Sequence, residues 1–241
     1  MTDALLSVRN VSRRFVGLLA VDRVSFDLRA GEVVSIIGPN GAGKTTLFNL
    51  LTGQVAPSSG EIRLRGALIN RLEPHRRARL GMGRTFQIAR PLVGLTVLEN
   101  AMIGAFARLR SLRAAEAKAL VVLEEVGLLD RAARKASELT LSERRRLEVA
   151  RALAMEPDII LLDEVMAGLN PSEVARAIGL YRELNRRGLT FLVIEHNLKV
   201  VRSFAGRVIV LDHGAMIAEG RPEEILAAPA VVEAYVGRQR A

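Results

Sequence analysis

The sequence predicts an α/β fold: a mixed β-sheet flanked by helices, with an antiparallel β subdomain and an inserted α-helical subdomain. Three observations predict it. Short, wholly apolar runs that suit buried strands alternate with helical stretches in the first and last thirds of the chain. The first 30 residues instead contain stretches that alternate apolar and polar side chains, which is typical of antiparallel strands. Between about residues 88 and 140 the composition turns to Ala, Leu and Arg, which indicates a helical insert.

Each element has its own local signal. Alternation or an apolar run predicts strands at residues 6–10, 24–28, 32–37, 61–65, 158–163, 189–195, 207–212 and 215–219. Helices are predicted at residues 45–52, 98–110, 114–126, 141–154 and 171–187, and two short helices separated by Pro229 follow. Gly53 ends the first helix, and Asn170 followed by Pro171 begins the last long one. We therefore expect a single domain over residues 1–241, with its core at residues 1–87 and 141–241 and the insert at residues 88–140.

Composition and charge limit the possible functions. The chain has 241 residues and no cysteine, which excludes disulfides, thiolate nucleophiles and cysteine-ligated metals. Its formal net charge is +9, but the basic residues are dispersed and aromatic residues make up only 4%, so we expect no nucleic-acid partner. The sequence shows no signal peptide and no apolar run that could span a bilayer, which predicts a soluble, cytoplasmic protein. The positive charge also suits attraction to a membrane surface.

The segment GPNGAGKTT, from Gly38 to Thr46, fits the phosphate-loop pattern G-x-x-x-x-G-K-[ST]. It lies between a predicted buried strand and a predicted helix, which is the context that this motif requires. Glycines let backbone N–H groups point inward, and the helix N-terminus adds positive potential. The sequence therefore predicts that a nucleoside triphosphate and Mg²⁺ bind here, with Lys44 on the β and γ phosphates and Thr45 on the metal. The nucleotide-binding candidates are Gly38, Pro39, Asn40, Gly41, Ala42, Gly43, Lys44, Thr45 and Thr46.

Two adjacent carboxylates, Asp163 and Glu164, end an apolar strand. At the carboxyl end of a strand beside a phosphate loop, Asp163 can hold Mg²⁺ directly or through water. Glu164 would then face the γ-phosphate and accept a proton from the attacking water. The alternative is a pair of solvated acids after a core strand. The pair indicates hydrolysis rather than transfer to a second substrate.

Two single residues fit the same chemistry. His196 follows a predicted strand and could donate a hydrogen bond to the γ-phosphate, although a lone histidine at a strand end is more often structural. Gln87 lies where the core gives way to the insert and could contact Mg²⁺ or the attacking water. Taken alone, it reads as an ordinary polar surface residue.

With these motifs in hand, the chain resembles the ATPase subunits of ATP-binding cassette (ABC) transporters over essentially its whole length. The motifs occur in the order of that family: Phe15, GPNGAGKTT, Gln87, a signature segment, Leu161–Glu164, the D-loop at residues 167–170 and His196. The resemblance implies catalytic roles for Gln87 and His196. It also implies that Phe15 is the platform on which the adenine stacks.

Within the family, the chain is similar to the ATPase of high-affinity branched-chain amino acid importers. Four stretches carry this likeness, at residues 14–21, 83–87, 95–100 and 167–171. Lipopolysaccharide-export ATPases usually read differently around Gln87 but share the C-terminal stretch, so they stay an alternative. The resemblance implies integral-membrane permease subunits, a second ATPase subunit and, indirectly, a periplasmic or extracellular solute-binding protein as partners. It places the chain peripherally on the cytoplasmic face of the membrane.

The signature segment departs from its family, in which it usually reads Leu-Ser-Gly-Gly-Gln. Here residues 139–143 read Leu-Thr-Leu-Ser-Glu, so both glycines are missing. Thr140 keeps a hydroxyl, and with Glu143 it predicts a capping box for the following helix. Thr140 and Ser142 are therefore the candidates for contact with the nucleotide of the partner subunit. Three alternatives stay open: an ordinary capped helix, a regulatory cassette with weak or no turnover, and a soluble family member that acts on ribosomes or DNA.

Overall fold

The computed structural model describes residues 4–85 and 91–236. Its chain divides into two compact units, the first formed by Met1–Arg77 and Asn185–Ala241 and the second by Ala78–Leu184. A division by compactness does not test the predicted boundaries of the helical insert, which stay a prediction. In the described part of the chain, no helix combines the length and the apolar character that crossing a membrane requires.

The strands and helices have the following bounds. The strands are β1 Leu6–Phe15, β2 Leu18–Leu28, β3 Val33–Ile37, β4 Ser59–Leu64, β5 Ala67–Leu68, β6 Met82–Arg84, β7 Ile159–Asp163, β8 Thr190–Ile194, β9 Arg207–Asp212 and β10 Ala215–Gly220. The helices are α1 Lys44–Thr52, α2 Pro74–Arg79, α3 Val97–Ala105, α4 Leu112–Glu125, α5 Leu141–Leu153, α6 Pro171–Arg186, α7 Leu198–Phe204, α8 Pro222–Ile225 and α9 Pro229–Val236.

The first unit contains the expected antiparallel sheet, in the order β2-β1-β4-β5. Its first hairpin is longer than the alternation predicts, because β1 continues to Phe15 and pairs there with Leu18. Register shifts interrupt this pairing between Val8 and Arg14, and Asn10 adopts a positive φ of 48° within it. Bulges of this kind break the period-two pattern of apolar and polar residues, so the sequence pattern does not predict the outer half of the hairpin.

The same unit holds a mixed sheet in which β10, β9, β3 and β8 are neighbours in that order. Strand β3 pairs in parallel with both β8 and β9, while β10 returns antiparallel to β9. All five residues of β3 and all five of β8 are buried, as expected of strands covered on both faces. Their parallel pairing brings the carboxyl ends of β3 and β8 to one edge of the sheet. The α/β class and the antiparallel subdomain are thus confirmed.

Arg207 joins the start of β3 to β9 and β10. Its guanidinium binds the Glu32 carboxylate at 2.8 Å, the Asp27 backbone carbonyl at 2.6 Å and the Glu219 carboxylate. Burial alone would raise the pKa of Glu32, but hydrogen bonds from Arg207 and from the Arg29 backbone outweigh it and lower this pKa. The charged pair therefore contributes to the stability of the folded chain.

Because the pKa of Glu32 is lower in the folded chain than in the unfolded one, its contribution is fully present above the unfolded value of about 4.3 and is lost as the pH falls through the folded value. We expect Glu32→Gln to reduce the free energy of unfolding at pH 7 and to reduce less of it at pH 3. Urea titrations at both pH values measure this difference. An exposed carboxylate changed the same way, Glu73→Gln, serves as the control. An equal loss for Glu32→Gln at both pH values would contradict the role of its charge.

The second unit pairs β6 with β7 in parallel and packs α3, α4 and α5 together. Thr96 begins α3 with a capping box that includes Glu99, and Ser111 caps α4. Helix α3 ends at Ala105, earlier than predicted, and turns follow. There the Arg108 side chain donates to the carbonyl oxygens of Met155, at 2.7 Å, and Glu156, at 3.2 Å. These bonds bridge distant residues, so helical spacing could not indicate the end of α3.

Candidate functional site

The phosphate loop connects β3 to α1 and can be built only with glycine at two positions. A Cβ atom on Gly38 would lie 2.1 Å from the Leu211 carbonyl oxygen. One on Gly43, whose φ is 96°, would lie 2.4 Å from the Ala20 carbonyl oxygen. Both distances are far below any real Cβ contact, so the loop backbone is pressed against β9 on one side and β2 on the other.

Backbone hydrogen bonds hold the loop in this place. The Gly214 N–H, in the turn between β9 and β10, donates to the Ala42 carbonyl at 3.1 Å. The Gly214 carbonyl accepts from the Asp22 N–H of β2 at 2.8 Å. The loop is therefore fixed by both sheets of the first unit, which suits a site that must present its N–H groups in one geometry.

The N-terminus of α1 is built to receive an anion. Gly43 occupies the N-cap position and offers no side chain to the first-turn N–H groups, and the first turn carries no acidic residue. These N–H groups and the helix dipole favour a negative ligand. Lys44 is buried, and its Nζ donates to the carbonyl oxygens of Gly38, at 2.6 Å, and Pro39, at 2.9 Å. Its ammonium is thus held across the loop, while Thr45 is exposed to solvent.

His196 lies beyond the edge of the sheet at which the phosphate loop begins. It follows β8, whose residues pair in parallel with β3 up to Ile36 and Ile194. The backbone pairing extends one residue further, where the Glu195 N–H approaches the Ile36 carbonyl at 3.5 Å. His196 itself is exposed. The first unit therefore brings the predicted histidine to the strand edge that carries the phosphate loop.

Phe15 stands at the end of the hairpin formed by β1 and β2, with 40% of its surface exposed. The second strand of this hairpin carries Ala20, whose carbonyl oxygen leaves no space for a side chain on Gly43 of the phosphate loop. Strand β2 thus pairs with Phe15 and also lies against the phosphate loop. This proximity supports the base-stacking role that the family resemblance implies for Phe15.

In the second unit, Asp163 ends β7 and forms a buried ion pair. Its Oδ2 accepts a hydrogen bond from Arg84 Nη2 at 2.9 Å, and both side chains are less than one-tenth exposed. Arg84 ends the neighbouring strand β6 and pairs with Leu161 in the ladder. Sequence reasoning missed this partner. An apolar strand that ends in an acid indicates a partly buried carboxylate that needs a hydrogen-bonding partner, but it does not indicate which residue supplies that partner.

Glu164 adopts a left-handed backbone conformation with a φ of 48°. This conformation is strained for a residue with a long side chain, and such strain is typically kept where function demands it. The side chain is half-buried, immediately after the fully buried strand β7. Glu156 shares this conformation, so it is the position of Glu164 directly after β7 and next to Asp163 that supports a functional role for the carboxylate.

The predicted capping box at the signature segment is confirmed. Thr140 Oγ1 accepts from the Glu143 N–H at 3.3 Å, and the Glu143 carboxylate accepts from the Thr140 N–H at 2.9 Å. Glu143 also pairs with Arg131 at 3.3 Å. The hydrogen bond from the Thr140 backbone and, to a smaller extent, the hydrogen bond from the Arg131 side chain lower the pKa of Glu143. The negative charge that Glu143 adds to this signature is thus bound by the Thr140 backbone N–H and by Arg131.

The signature segment and the loop that follows Glu164 are neighbours in the second unit. A Cβ on Gly168 would lie 3.1 Å from Leu141 Cδ2, so the two segments are in contact. Ser142, Val165 and Leu169 line one cavity of about 260 Å³. The cavity also receives Arg145 and Arg146 from α5. The predicted residues therefore fall into two groups, one in each unit.

The first group, in the first unit, comprises Phe15, Gly38, Pro39, Asn40, Gly41, Ala42, Gly43, Lys44, Thr45, Thr46 and His196. The second unit carries Thr140, Ser142, Asp163 and Glu164. Gln87 lies outside the described residues. Thr45 and Asp163 offer oxygen donors, the ligand type that Mg²⁺ prefers. Among residues 4–85 and 91–236, no cluster of three or more His, Cys, Asp or Glu side chains is arranged to hold a metal.

Comparison with known proteins gives a consistent result. The family model described as "ABC transporter" matches residues 21–167. The chain is 43% identical to the high-affinity branched-chain amino acid transport ATP-binding protein LivG of Salmonella typhimurium, and the match covers 98% of this chain and 99% of that protein. It is 41% identical to the corresponding protein BraF of Pseudomonas aeruginosa, again over 98% and 99% of the two chains.

Solved structures agree with the sequence comparison. The chain is similar to an ATP-binding cassette of an ABC transporter in its ADP conformation, with a TM-score of 0.89, 35% identity and coverage of 97% and 99% of the two chains. It is also similar to a dimeric bacterial ABC transporter cassette, with a TM-score of 0.82, 29% identity and coverage of 90% and 98%. The predicted fold class is confirmed by these neighbours.

Proposed function

We propose a transport function for this chain, which belongs to the ABC transporter family of ATP-binding cassettes. It is the ATP-hydrolysing subunit of an importer, and its solutes are branched-chain or related amino acids. The observation that carries this conclusion is the 43% identity to an importer subunit over nearly the whole of both chains. The phosphate loop, with Lys44 already held across it, supplies the binding chemistry that such a subunit needs.

The phosphate loop binds the triphosphate of ATP. The first-turn N–H groups of α1 and the Lys44 ammonium face the phosphate oxygens, and Lys44 exchanges its loop carbonyls for them. Thr45, Gln87 and Asp163 are the proposed ligands of Mg²⁺. When bound, this ion neutralises charge on the phosphate oxygens. Before it binds, Arg84 balances the buried charge of Asp163.

Hydrolysis requires a proton acceptor and groups that orient the attacking water. Glu164, which directly follows β7, accepts the proton of this water. His196 donates a hydrogen bond to the γ-phosphate, and Gln87 orients the water. These three residues form the proposed catalytic set, and the nucleotide's base stacks on Phe15.

A second ATPase subunit completes the functional unit. Thr140 and Ser142 would contact the nucleotide held by that subunit, and the free N–H groups at the start of α5 would face its phosphates. The solved cassette dimer to which the chain is similar supports the pairing of two ATPase subunits. Because both signature glycines are replaced, a different ATPase with an intact signature is as consistent with the sequence as a second copy of this chain.

The remaining partners are integral-membrane permease subunits, and through them a periplasmic or extracellular solute-binding protein. The chain would bind the permease peripherally, on the cytoplasmic face of the membrane. A groove of about 320 Å³ in the second unit supports a docking place; it is lined by Ile103 and Met155 together with Arg84 and Arg151. Arg84 also binds Asp163, so this groove borders the metal-binding carboxylate. We propose no nucleic-acid partner.

Two alternatives remain less favoured. A regulatory cassette with weak turnover would rest on the altered signature alone, and the capping box shows that this segment still begins an ordered helix. A lipopolysaccharide-export ATPase would rest on the shared C-terminal stretch. The relatives with 41–43% identity are instead named as branched-chain amino acid transport ATP-binding proteins.

Uptake of labelled leucine tests the proposed function. In cells that carry the chain with its permease and solute-binding protein, we expect Lys44→Ala to abolish ATP-dependent leucine uptake, because the triphosphate loses its principal cation. The amount of variant protein in the membrane fraction serves as the control, since Lys44 does not take part in permease binding. Undiminished leucine uptake with Lys44→Ala would overturn the proposal, as would loss of the chain from membranes that still contain the permease.

A further inference from the structure

The Phe15 side chain is covered on one face by a cation. The guanidinium carbon of Arg13 lies 4.6 Å from the centroid of the Phe15 ring, a distance at which the ring's negative face attracts a positive charge. The two residues are two positions apart on β1, and this contact is the observation that places their side chains together. Phe15 nevertheless keeps 40% of its surface exposed. The ring is therefore supported from one side and accessible to a ligand.

Arg13 is held in this position by a neighbouring loop. Its Nη1 donates to the Ala56 carbonyl oxygen at 2.9 Å. Its Nε is buried and donates no hydrogen bond to any residue that the structure describes. No acidic side chain forms an ion pair with Arg13 in the described part of the chain. The guanidinium is thus held by the aromatic ring and one carbonyl.

The loop that holds Arg13 follows the phosphate-binding helix. Ala56 lies four residues after the end of α1 at Thr52. The same loop binds β1 twice more: the Ser58 N–H donates to the Ser12 carbonyl at 2.8 Å, and the Arg14 N–H donates to Ser58 Oγ at 3.1 Å. Two sets of contacts therefore connect the Phe15 ring to the phosphate loop and α1. Arg13 binds Ala56 in the loop after α1, and Phe15 pairs with β2, which lies against Gly43.

We propose that Arg13 is a positioning residue for the nucleotide base, stacked in the order guanidinium, Phe15 ring, adenine. This inference rests on the proposed function, because Phe15 is itself the proposed adenine platform. Arg13 holds the ring in one rotamer before ATP arrives, so that less conformational freedom is lost when the base stacks. Arg13 contacts the ring and is not proposed to contact the phosphates, so we expect it to raise the affinity for the base and not the affinity for the triphosphate.

Binding of two ligands separates this role from a general one. Calorimetric titration with Mg²⁺–ATP and with Mg²⁺–tripolyphosphate, which has no base, measures the two affinities. We expect Arg13→Ala to weaken ATP binding about two- to tenfold, the effect of having to order one side chain when the ligand binds, and to leave tripolyphosphate binding unchanged. Phe15→Ala should weaken ATP binding at least as much. In the Phe15→Ala background, Arg13→Ala should have no further effect.

The neighbouring arginine provides a matched control. Arg14 carries the same charge one position along the strand, but its side chain is exposed, and it is Arg13 that lies over the Phe15 ring. Arg14→Ala should leave both affinities unchanged, which removes the loss of net charge as an explanation. Arg13→Lys keeps the charge without the planar group and should fall between Arg13→Ala and the unchanged protein. It also serves if Arg13→Ala does not fold.

Each outcome decides between the inference and the proposed function. If Phe15→Ala weakens ATP binding and Arg13→Ala does not, the role of Arg13 is overturned and the platform stands. If Arg13→Ala weakens tripolyphosphate binding equally, Arg13 supports the fold and not the base, and the inference is again overturned. If Phe15→Ala leaves ATP binding intact, the platform itself is wrong and the role of Arg13 falls with it.

Discussion

Glu164→Gln protein should bind ATP normally and hydrolyse it at least about a hundredfold more slowly, the usual effect of removing a general base. Glutamine has nearly the same shape as glutamate but cannot accept the proton of the attacking water. The position after β7 and the strained φ of 48° would be the same in both proteins, so a loss of turnover would reflect the carboxylate and not its place. Phosphate release in the presence of the permease measures turnover, and ATP binding is measured separately.

Glu156→Gln is the matched control. Glu156 lies in the same unit and also has a positive φ, of 51°, but it is exposed and pairs with Lys118. The same substitution there should leave turnover unchanged. If Glu164→Gln kept its turnover, Glu164 would not be the proton acceptor. Loss of turnover would instead reject the regulatory-cassette alternative, because the unchanged protein would then be shown to hydrolyse ATP.

The Glu164→Gln variant also tests whether the altered signature segment still functions. With hydrolysis blocked, light scattering in ATP should show a dimer if the segment that begins with Thr140 still clamps a partner's nucleotide. A dimer with ATP that is absent for Lys44→Ala would establish self-pairing. A monomer that binds ATP would establish that a different ATPase supplies the second half of the unit.

Arg77→Met should lower the free energy of unfolding by about 3 kcal/mol, because it leaves buried carbonyl groups without a donor. The Arg77 guanidinium is only 1% exposed and donates to the carbonyls of Leu50, at 2.6 Å, and Leu51, at 2.7 Å, in the last turn of α1. It also donates to the carbonyls of Leu72 and Asn70. Burial lowers the pKa of Arg77 to about 10, so the group is still charged at neutral pH.

Urea unfolding of Arg77→Met and of Arg76→Met measures this effect. Arg76 precedes Arg77 on α2 but is exposed, so its replacement should change the free energy of unfolding by less than about 0.5 kcal/mol. Equal stabilities for the two variants would show that the last turn of α1 finds other donors. Since α1 begins at the phosphate loop, we also expect weaker ATP binding by Arg77→Met.

Comparison of the elements shows where sequence reasoning works. The long helix α6 and the buried strands β3, β7 and β8 lie close to their predicted positions, because each has a strong periodic or apolar pattern. Four of the strands and helices described above were not predicted from the sequence: α2, β5, β6 and α7 have only six, two, three and seven residues. Patterns this short cannot be told from loops, and pairing or packing with distant residues decides whether they form.

The sequence by itself determined the chemistry of the phosphate loop, the order of the motifs and the capping box at Thr140, because these depend on residues within a few positions of one another. Only the tertiary structure decided which partner each buried cation binds. Arg84 and Asp163 are 79 residues apart in the chain, and Arg77 and Leu50 are 27 apart. A buried charge must find hydrogen-bonding partners, but its own neighbours in the sequence do not say which strand or helix will bring them.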